Sequence, residues 1–117
     1  MKIIAHRGND GIHKENSLEA LLNSLTNKNV DGIELDVRLT KDNKLIINHD
    51  PFYNGYYINH TTSLKLQKLG LNTLDEVLKN INSDKIIMIE VKTNEKDIKK
   101  ITKNLLNNLN KYHLNYY

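Results

Sequence analysis

Gly32-Ile33-Glu34-Leu35-Asp36-Val37-Arg38-Leu39 alternates without a break: from Ile33 on, the odd positions are apolar and the even ones charged. Side chains two residues apart on a strand share a face. Ile33, Leu35 and Val37 therefore read as the face that a parallel sheet turns toward its helices. Glu34 and Asp36 project together from the other face. Inward acids of this kind are costly unless they are paired, hydrated or bound to a cation.

Short apolar runs and helical patterns alternate on both sides of this stretch, which is the signature of βα units and a parallel sheet. Lys2 to Ala5 reads as a first strand that delivers His6. Asn16-Ser17-Leu18-Glu19 offers an N-cap with a glutamate three residues on, and Leu18, Leu21, Leu22 and Leu25 follow on one helical face. After Leu39, Thr40 to Lys44 is a polar turn, and Leu45 to Asn48 returns as a strand that delivers His49. Residues 51–71 carry no clear period and read as an irregular excursion. Thr73-Leu74-Asp75-Glu76 reads as a capping box for a helix with Leu74, Val77, Leu78 and Ile81 on its face. Ile86 to Val91 is a strand, and Glu90-Val91-Lys92 closes it. Thr93 and Asn94 cap a last helix whose buried face is Ile98, Ile101, Leu105 and Leu109. Tyr112 to Tyr117 reads either as a frayed tail or as the start of another strand.

The 117 residues form one domain by length, with no internal repeat or linker. Hydrophobic residues make up 38% and charged residues 26%, with a net charge of +3. The charge comes from lysines, since Arg7 and Arg38 are the only arginines, and no basic stripe is interleaved with aromatics. That pattern argues against nucleic-acid binding. Cysteine is absent, so disulfides, thiol nucleophiles and zinc–thiolate sites are excluded, and a cytoplasmic location is expected. No run is long enough to be a transmembrane segment.

Taken singly, a Glu-x-Asp pair reads as the wet face of an edge strand, a histidine after a strand as a turn residue, and Glu90 with Lys92 as a bystander ion pair. His13, His60 and His113 match no pattern and read as structural. Four chemical signals at four strand ends, in consistent order, read differently. Parallel α/β folds gather catalytic groups at the C-terminal ends of their strands. Three acids without cysteine favour a hard cation, Mg²⁺ or Ca²⁺.

The ordered set His6-Arg7-Gly8, Glu15-Asn16-Ser17, Gly32 to Asp42, His49-Asp50, Leu71 to Leu78 and Glu90-Val91-Lys92 resembles the glycerophosphodiester phosphodiesterase family from residue 2 to about residue 110. The resemblance implies an α/β fold, a (β/α)8 TIM-type barrel of metal-dependent phosphodiesterases that split glycerophosphodiesters into an alcohol and glycerol 3-phosphate. It implies Glu34, Asp36 and Glu90 as ligands of the divalent cation, and His6 and His49 as general acid and base. Arg7 would hold a phosphate oxygen. Lys92 would add positive charge, and Glu15 would support the metal shell or a substrate hydroxyl.

There are departures from the family pattern. Lys14 stands in place of the usual proline, Asn43 in place of a common glycine, and the 51–71 excursion is short. The family's later Ser-Phe, Trp-Thr-Val-Asn and Thr-Asp-x-Pro motifs have no counterpart here. The expected architecture is therefore a partial barrel, roughly the first three to four βα units, with an open sheet edge. A fragment is the first reading; self-association or a second chain covering that edge is the next. The functional alternatives are an inactive remnant or a metal- or phosphate-binding module, and a sphingomyelinase D-like phospholipid phosphodiesterase.

Overall fold

A computed structural model describes all of residues 1–117. The Gly32–Leu39 stretch is strand β2, the central strand of the sheet. β1 (Ile4–Ala5) lies parallel to its start, with Ile4 opposite Gly32. Along its other edge runs β6 (Ile86–Val91), parallel over six residue pairs from Gly32–Ile86 to Val37–Val91. The C-terminal Asn115–Tyr116 forms a further parallel strand, β7, against β6, so the tail is a strand. The parallel order is β1-β2-β6-β7. Each crossover is helical: α1 (Leu18–Thr26) joins β1 to β2, and α4 (Ile98–Leu109) joins β6 to β7.

The crossover between β2 and β6 differs from the expectation. β3 (Leu45–Ile47) folds back antiparallel on the end of β2, pairing Val37 with Ile47 and Leu39 with Leu45. It is therefore a hairpin arm and not one of the barrel strands. The 51–71 segment is more ordered than its sequence suggests. It holds a small hairpin, β4 (Phe52–Tyr53) with β5 (Tyr56–Tyr57), a 3₁₀ turn at Ile58–His60 and the short helix α2 (Ser63–Lys68). The next helix, α3 (Leu74–Asn80), leads back toward β6.

The alternation read from β2 holds in space. Ile33, Leu35 and Val37 have no exposed surface and pack with Leu21, Ile87 and Ile101 in the main core. Full burial of such a side chain contributes about 1.5–3 kcal/mol. β3 divides its side chains between two cores. Leu45 and Ile47 enter the main one, whereas Ile46 joins Ile58, Leu66 and Leu71 in a satellite cluster. On α4, Ile101 and Leu109 are buried and Leu105 is partly so, but Ile98 is half exposed because it lies in the first turn, before the helix meets the sheet.

Two capping readings change. Ser17, not Asn16, caps α1, accepting a hydrogen bond from the Ala20 amide. Thr73 does cap α3, accepting from the Glu76 amide, but the Glu76 carboxylate accepts from Asn72 Nδ2 instead of closing the box.

Gly32 is squeezed between β1 and β6. A Cβ there would stand 2.3 Å from the Ile86 carbonyl oxygen, a backbone atom that cannot move without shifting the strand. Gly32→Ala is expected to lower unfolding stability by about 2–3 kcal/mol, read as a lower urea midpoint at unchanged slope.

Candidate functional site

The site begins with a turn that β1 cannot make without strain. Arg7 (φ 53°) and Gly8 (φ 65°) are both left-handed. For arginine this region is sparsely populated. For Gly8 it is obligatory, since a Cβ would also lie 2.7 Å from a methyl of Leu21. Hydrogen bonds hold the turn in place: the Asn16 amide donates to the Arg7 carbonyl at 2.8 Å, and Ser24 Oγ to the Gly8 carbonyl at 2.7 Å. The result aims both the main chain and the side chain of Arg7 at β2. Its amide donates to Glu34 Oε2 at 3.2 Å, and its Nε lies 3.6 Å from Asp36 Oδ2.

The in-register pairing of β2 and β6 sets Asp36 directly opposite Glu90. Glu34, Asp36 and Glu90 each present a carboxylate oxygen within 4.8 Å of the other two. Glu34 and Asp36 are buried, and Glu90 is half exposed. Oε1 of Glu34 and Oδ1 of Asp36 have no hydrogen-bond partner. Unit charges about 5 Å apart repel by roughly 3 kcal/mol even at an effective dielectric of about 20, a large fraction of a small domain's stability. The repulsion has a visible effect. Burial raises the Glu34 carboxyl above its ordinary value, and the neighbouring Asp36 and Glu90 charges add to the rise. The Arg7 amide and His6 oppose it. Glu90 moves the other way, held low chiefly by its 2.7 Å bond from Lys92 Nζ.

The remaining sequence candidates lie around this cluster. His6 Nε2 stands 3.5 Å from Glu34 Oε2, with its ring mostly exposed. His49 follows β3, and its Nδ1 sits 2.9 Å from Asp50 Oδ1, which leaves Nε2 available. Glu15 stays outside the carboxylate cluster; it pairs with Arg7 Nη1 at 3.2 Å and is half exposed. The structure thus joins His6, Arg7, Glu34, Asp36, Glu90 and Lys92 directly, and Glu15 through Arg7. The other three histidines lie apart from the cluster. His13, for example, is engaged with Asp10 on the loop after β1.

Two contributors escape the sequence patterns. Asn16, itself left-handed at φ 63°, donates from Nδ2 to Asp36 Oδ2 at 2.9 Å, and its Oδ1 accepts from the Asp36 amide at 3.4 Å. Its place beside Glu15 was the available signal, but it reads as a helix cap there. Arg38, third in the charged alternation, donates from Nε and Nη2 to the His49 carbonyl at 2.9 and 2.6 Å. The β2–β3 hairpin also ties Asn48 N to the Asp36 carbonyl at 3.1 Å. Together these contacts anchor the histidine segment to the ligand strand.

Two buried, unpartnered carboxylate oxygens facing a third acid are a donor set suited to a divalent cation with oxygen ligands. One such ion would relieve the repulsion and fill the missing contacts.

Comparison with known proteins places this arrangement. The crystal structure of a glycerophosphodiester phosphodiesterase from Thermotoga maritima superposes with a TM-score of 0.83 at 32% identity, over 99% of this chain and 52% of that one. An Oleispira antarctica phosphodiesterase, solved with sn-glycerol-3-phosphate, shares the fold at a TM-score of 0.83 and 22% identity, over 97% of this chain and 56% of that one. A glycerophosphodiester phosphodiesterase of Bacillus altitudinis is 45% identical over 64 residues, 55% of this chain and 24% of the relative. The chain spans about half the length of the solved structures, and its 64-residue match covers about a quarter of the Bacillus relative, so its mostly parallel sheet is a partial barrel. The glycerophosphoryl diester phosphodiesterase family profile matches residues 6–116, nearly the whole chain, and the chain belongs to that family.

Proposed function

We propose that this chain carries the metal and phosphate machinery of a phosphodiesterase that splits glycerophosphodiesters into an alcohol and glycerol 3-phosphate. The observation that carries the reading is the triad of Glu34, Asp36 and Glu90, with two buried oxygens lacking partners and His6 against one of its members. Glu34, Asp36 and Glu90 would hold a divalent cation, Mg²⁺ or Ca²⁺, which when bound offsets the negative charge of the phosphodiester.

The chain's own groups divide the rest of the work. Arg7 is fixed by its strained turn, with Nε buried against Asp36 and Nη1 paired with Glu15, so Nη2 is the guanidinium nitrogen left to take a phosphate oxygen. Lys92 lies beside Glu90 and supplies a second positive charge. His6 and His49 reach the site from different strand ends, and imidazole serves at neutral pH as either acid or base. One removes the proton from the attacking hydroxyl, glycerol's own neighbouring one, so that a cyclic phosphate forms as the P–O bond to the alcohol breaks; water then opens the ring to glycerol 3-phosphate. The other protonates the departing alcohol. Asp50 orients His49 by binding Nδ1, which leaves Nε2 as the transferring atom. Glu15 steers Arg7 through their ion pair.

A second reading is a module that binds metal or phosphate without turnover. It is favoured by the open inner face of the sheet, where Met88 and Glu90 are exposed on the side that a closed barrel covers.

Calorimetric titration of the purified chain with Mg²⁺ and Ca²⁺ is expected to show one site, lost in Glu34→Ala and Asp36→Ala; silence with both ions in the wild type would exclude the reading. In an assay of glycerol 3-phosphate release from glycerophosphocholine, His6→Ala and His49→Ala should each lower kcat about 10²–10⁴-fold. Wild type that binds the ion yet turns over no faster than these variants would select the non-catalytic module.

The raised Glu34 carboxyl also sets a pH dependence. Without metal, the folded chain holds a proton on Glu34 at pH values where the unfolded chain, with its ordinary value of 4.5, has lost it. Stability of the metal-free chain should therefore fall as pH rises from about 4.5 through the raised value. Glu34→Gln should flatten that slope and raise the metal-free melting temperature by roughly 2–5 °C while abolishing ion binding. Thermal melts with chelator across pH 4–8 test both effects.

A further inference from the structure

The segment after His49 and Asp50 differs from the rest of the chain in composition. Residues 51–74 contain no aspartate or glutamate, yet they hold Lys65, Lys68 and four of the chain's seven Phe and Tyr residues, Phe52, Tyr53, Tyr56 and Tyr57. A purely structural role would bury such rings. Only Tyr53 meets that expectation, packing on the satellite cluster of Ile46, Ile58, Leu66 and Leu71. The other three are exposed, Phe52 by 53%, Tyr56 by 41% and Tyr57 by 60%.

Their scaffold holds them outward. The β4–β5 hairpin is a separate two-stranded sheet that pairs with no other strand. Its tip, Asn54-Gly55, is left-handed at both residues, φ 53° and 82°, as a tight two-residue hairpin turn requires. The pairing sets Phe52 opposite Tyr57 and Tyr53 opposite Tyr56. Phe52 and Tyr57 therefore share one face, in edge contact at 6.4 Å, and the Tyr57 ring lies 5.9 Å from that of His60. On the other face each tyrosine carries a lysine: Lys14 Nζ lies 4.3 Å from the centre of Tyr53, and Lys65 Nζ 5.2 Å from that of Tyr56. α2 continues the pattern. Leu64 is 61% exposed beside the exposed Lys65 and Lys68, while Leu66 enters the satellite cluster.

An exposed patch of this size and kind marks an interaction surface. Rings of Phe and Tyr settle at the boundary between the apolar and polar layers of a bilayer. Lysine lays its stem along apolar surface and keeps its ammonium at the phosphates, and anionic headgroups attract each such charge. The patch has no acid to oppose that attraction, and the nearest in sequence, Asp50, is paired with His49. Rings on both faces of one hairpin suit a fluid partner that closes around them better than a rigid protein surface.

We propose that the β4–β5 hairpin and the outer face of α2 dock this chain on the headgroup layer of a membrane that contains anionic lipid. Asn48 Nδ2 donates to the Asp50 and Phe52 carbonyls at 2.9 and 3.3 Å, which fixes the hairpin to the strand end that delivers His49. Docking therefore brings that end of the sheet to the headgroups. The inference needs neither bound metal nor turnover, and so stands apart from the phosphodiesterase reading.

The test is co-sedimentation of the full chain with phosphatidylcholine vesicles, with and without phosphatidylglycerol, in the presence of chelator so that no metal bridges protein and lipid. The mixed vesicles should bind the chain about 10-fold or more better than phosphatidylcholine alone, and high salt should reduce the difference. Lys65→Gln with Lys68→Gln should lower partitioning about 25-fold, roughly 5-fold for each lysine. Phe52→Ser with Tyr57→Ser should lower it about 10-fold. Lys99→Gln with Lys100→Gln removes the same charge from the exposed side of α4 and should lower it by about 2-fold at most. The chain has no tryptophan, so Phe52→Trp gives a single reporter whose emission should shift to the blue on the mixed vesicles. Equal losses in the two lysine pairs would reduce the binding to the general attraction of a basic chain and overturn the docking surface. So would a Phe52→Trp emission that stays unshifted on sedimented chain. Failure to sediment with mixed vesicles at low salt overturns it as well, including the case in which the patch meets a protein instead.

Discussion

Everything around the site follows from placing Asp36, a residue with no exposed surface, in the middle of a sheet beside two more acids. An ionised group so placed needs compensation from every direction. Asn16 supplies a hydrogen bond to one oxygen and accepts one from the Asp36 amide, so side chain and backbone are fixed by a single partner. Arg7 supplies charge, and reaches Asp36 only because two successive left-handed residues turn the chain back after β1. What these partners leave unsatisfied is the other oxygen of Asp36 and one of Glu34, two of the three acids that cluster with Glu90. The strained backbone at Arg7 and the open donor set on β2 are two sides of one requirement. A less demanding acid would need neither.

The β2–β6 pairing carries that requirement into the rest of the fold. Because Glu34 faces Met88 and Asp36 faces Glu90 in register, a one-residue slip would turn the ligand face into the helix. The same slip would drive Ile33, Leu35 and Val37 out of the core, so burial on one face enforces chemistry on the other. Gly32 begins the register at the point where three strands crowd together.

The parts that sequence reveals are those governed by period and position. The alternation in Ile33–Arg38 announces both faces of β2, and the apolar run 86–91 announces its partner, because each pattern is set by the strand to which it belongs. What stays hidden depends on contacts between distant segments. Asn16 has the composition of a helix cap, and only the approach of β2 gives its amide another use, leaving the cap to Ser17. Arg38 looks like one more charged face residue until the hairpin brings the His49 carbonyl to it. The direction of β3 is hidden for a related reason: three apolar residues fit a parallel or an antiparallel strand equally well, and the tight turn at residues 40–44 decides. The 51–71 segment lacks a period because its elements are too short to repeat one, although each has a local cause, such as Thr62 capping α2 by accepting from the Lys65 amide.

β3 also joins two separate cores within a short chain. Its odd residues are committed to the core that holds the ligand strands, whereas Ile46 alone serves the satellite cluster with Ile58, Leu66 and Leu71. The 51–71 excursion is thus anchored to the ligand strands through β3, and also by the Lys41 amide donating to the Thr61 carbonyl and by Ser63 donating to Asp42. The register that brings Glu34, Asp36 and Glu90 together is set by β2 and β6 alone, so the carboxylate cluster does not depend on the side chains of the excursion.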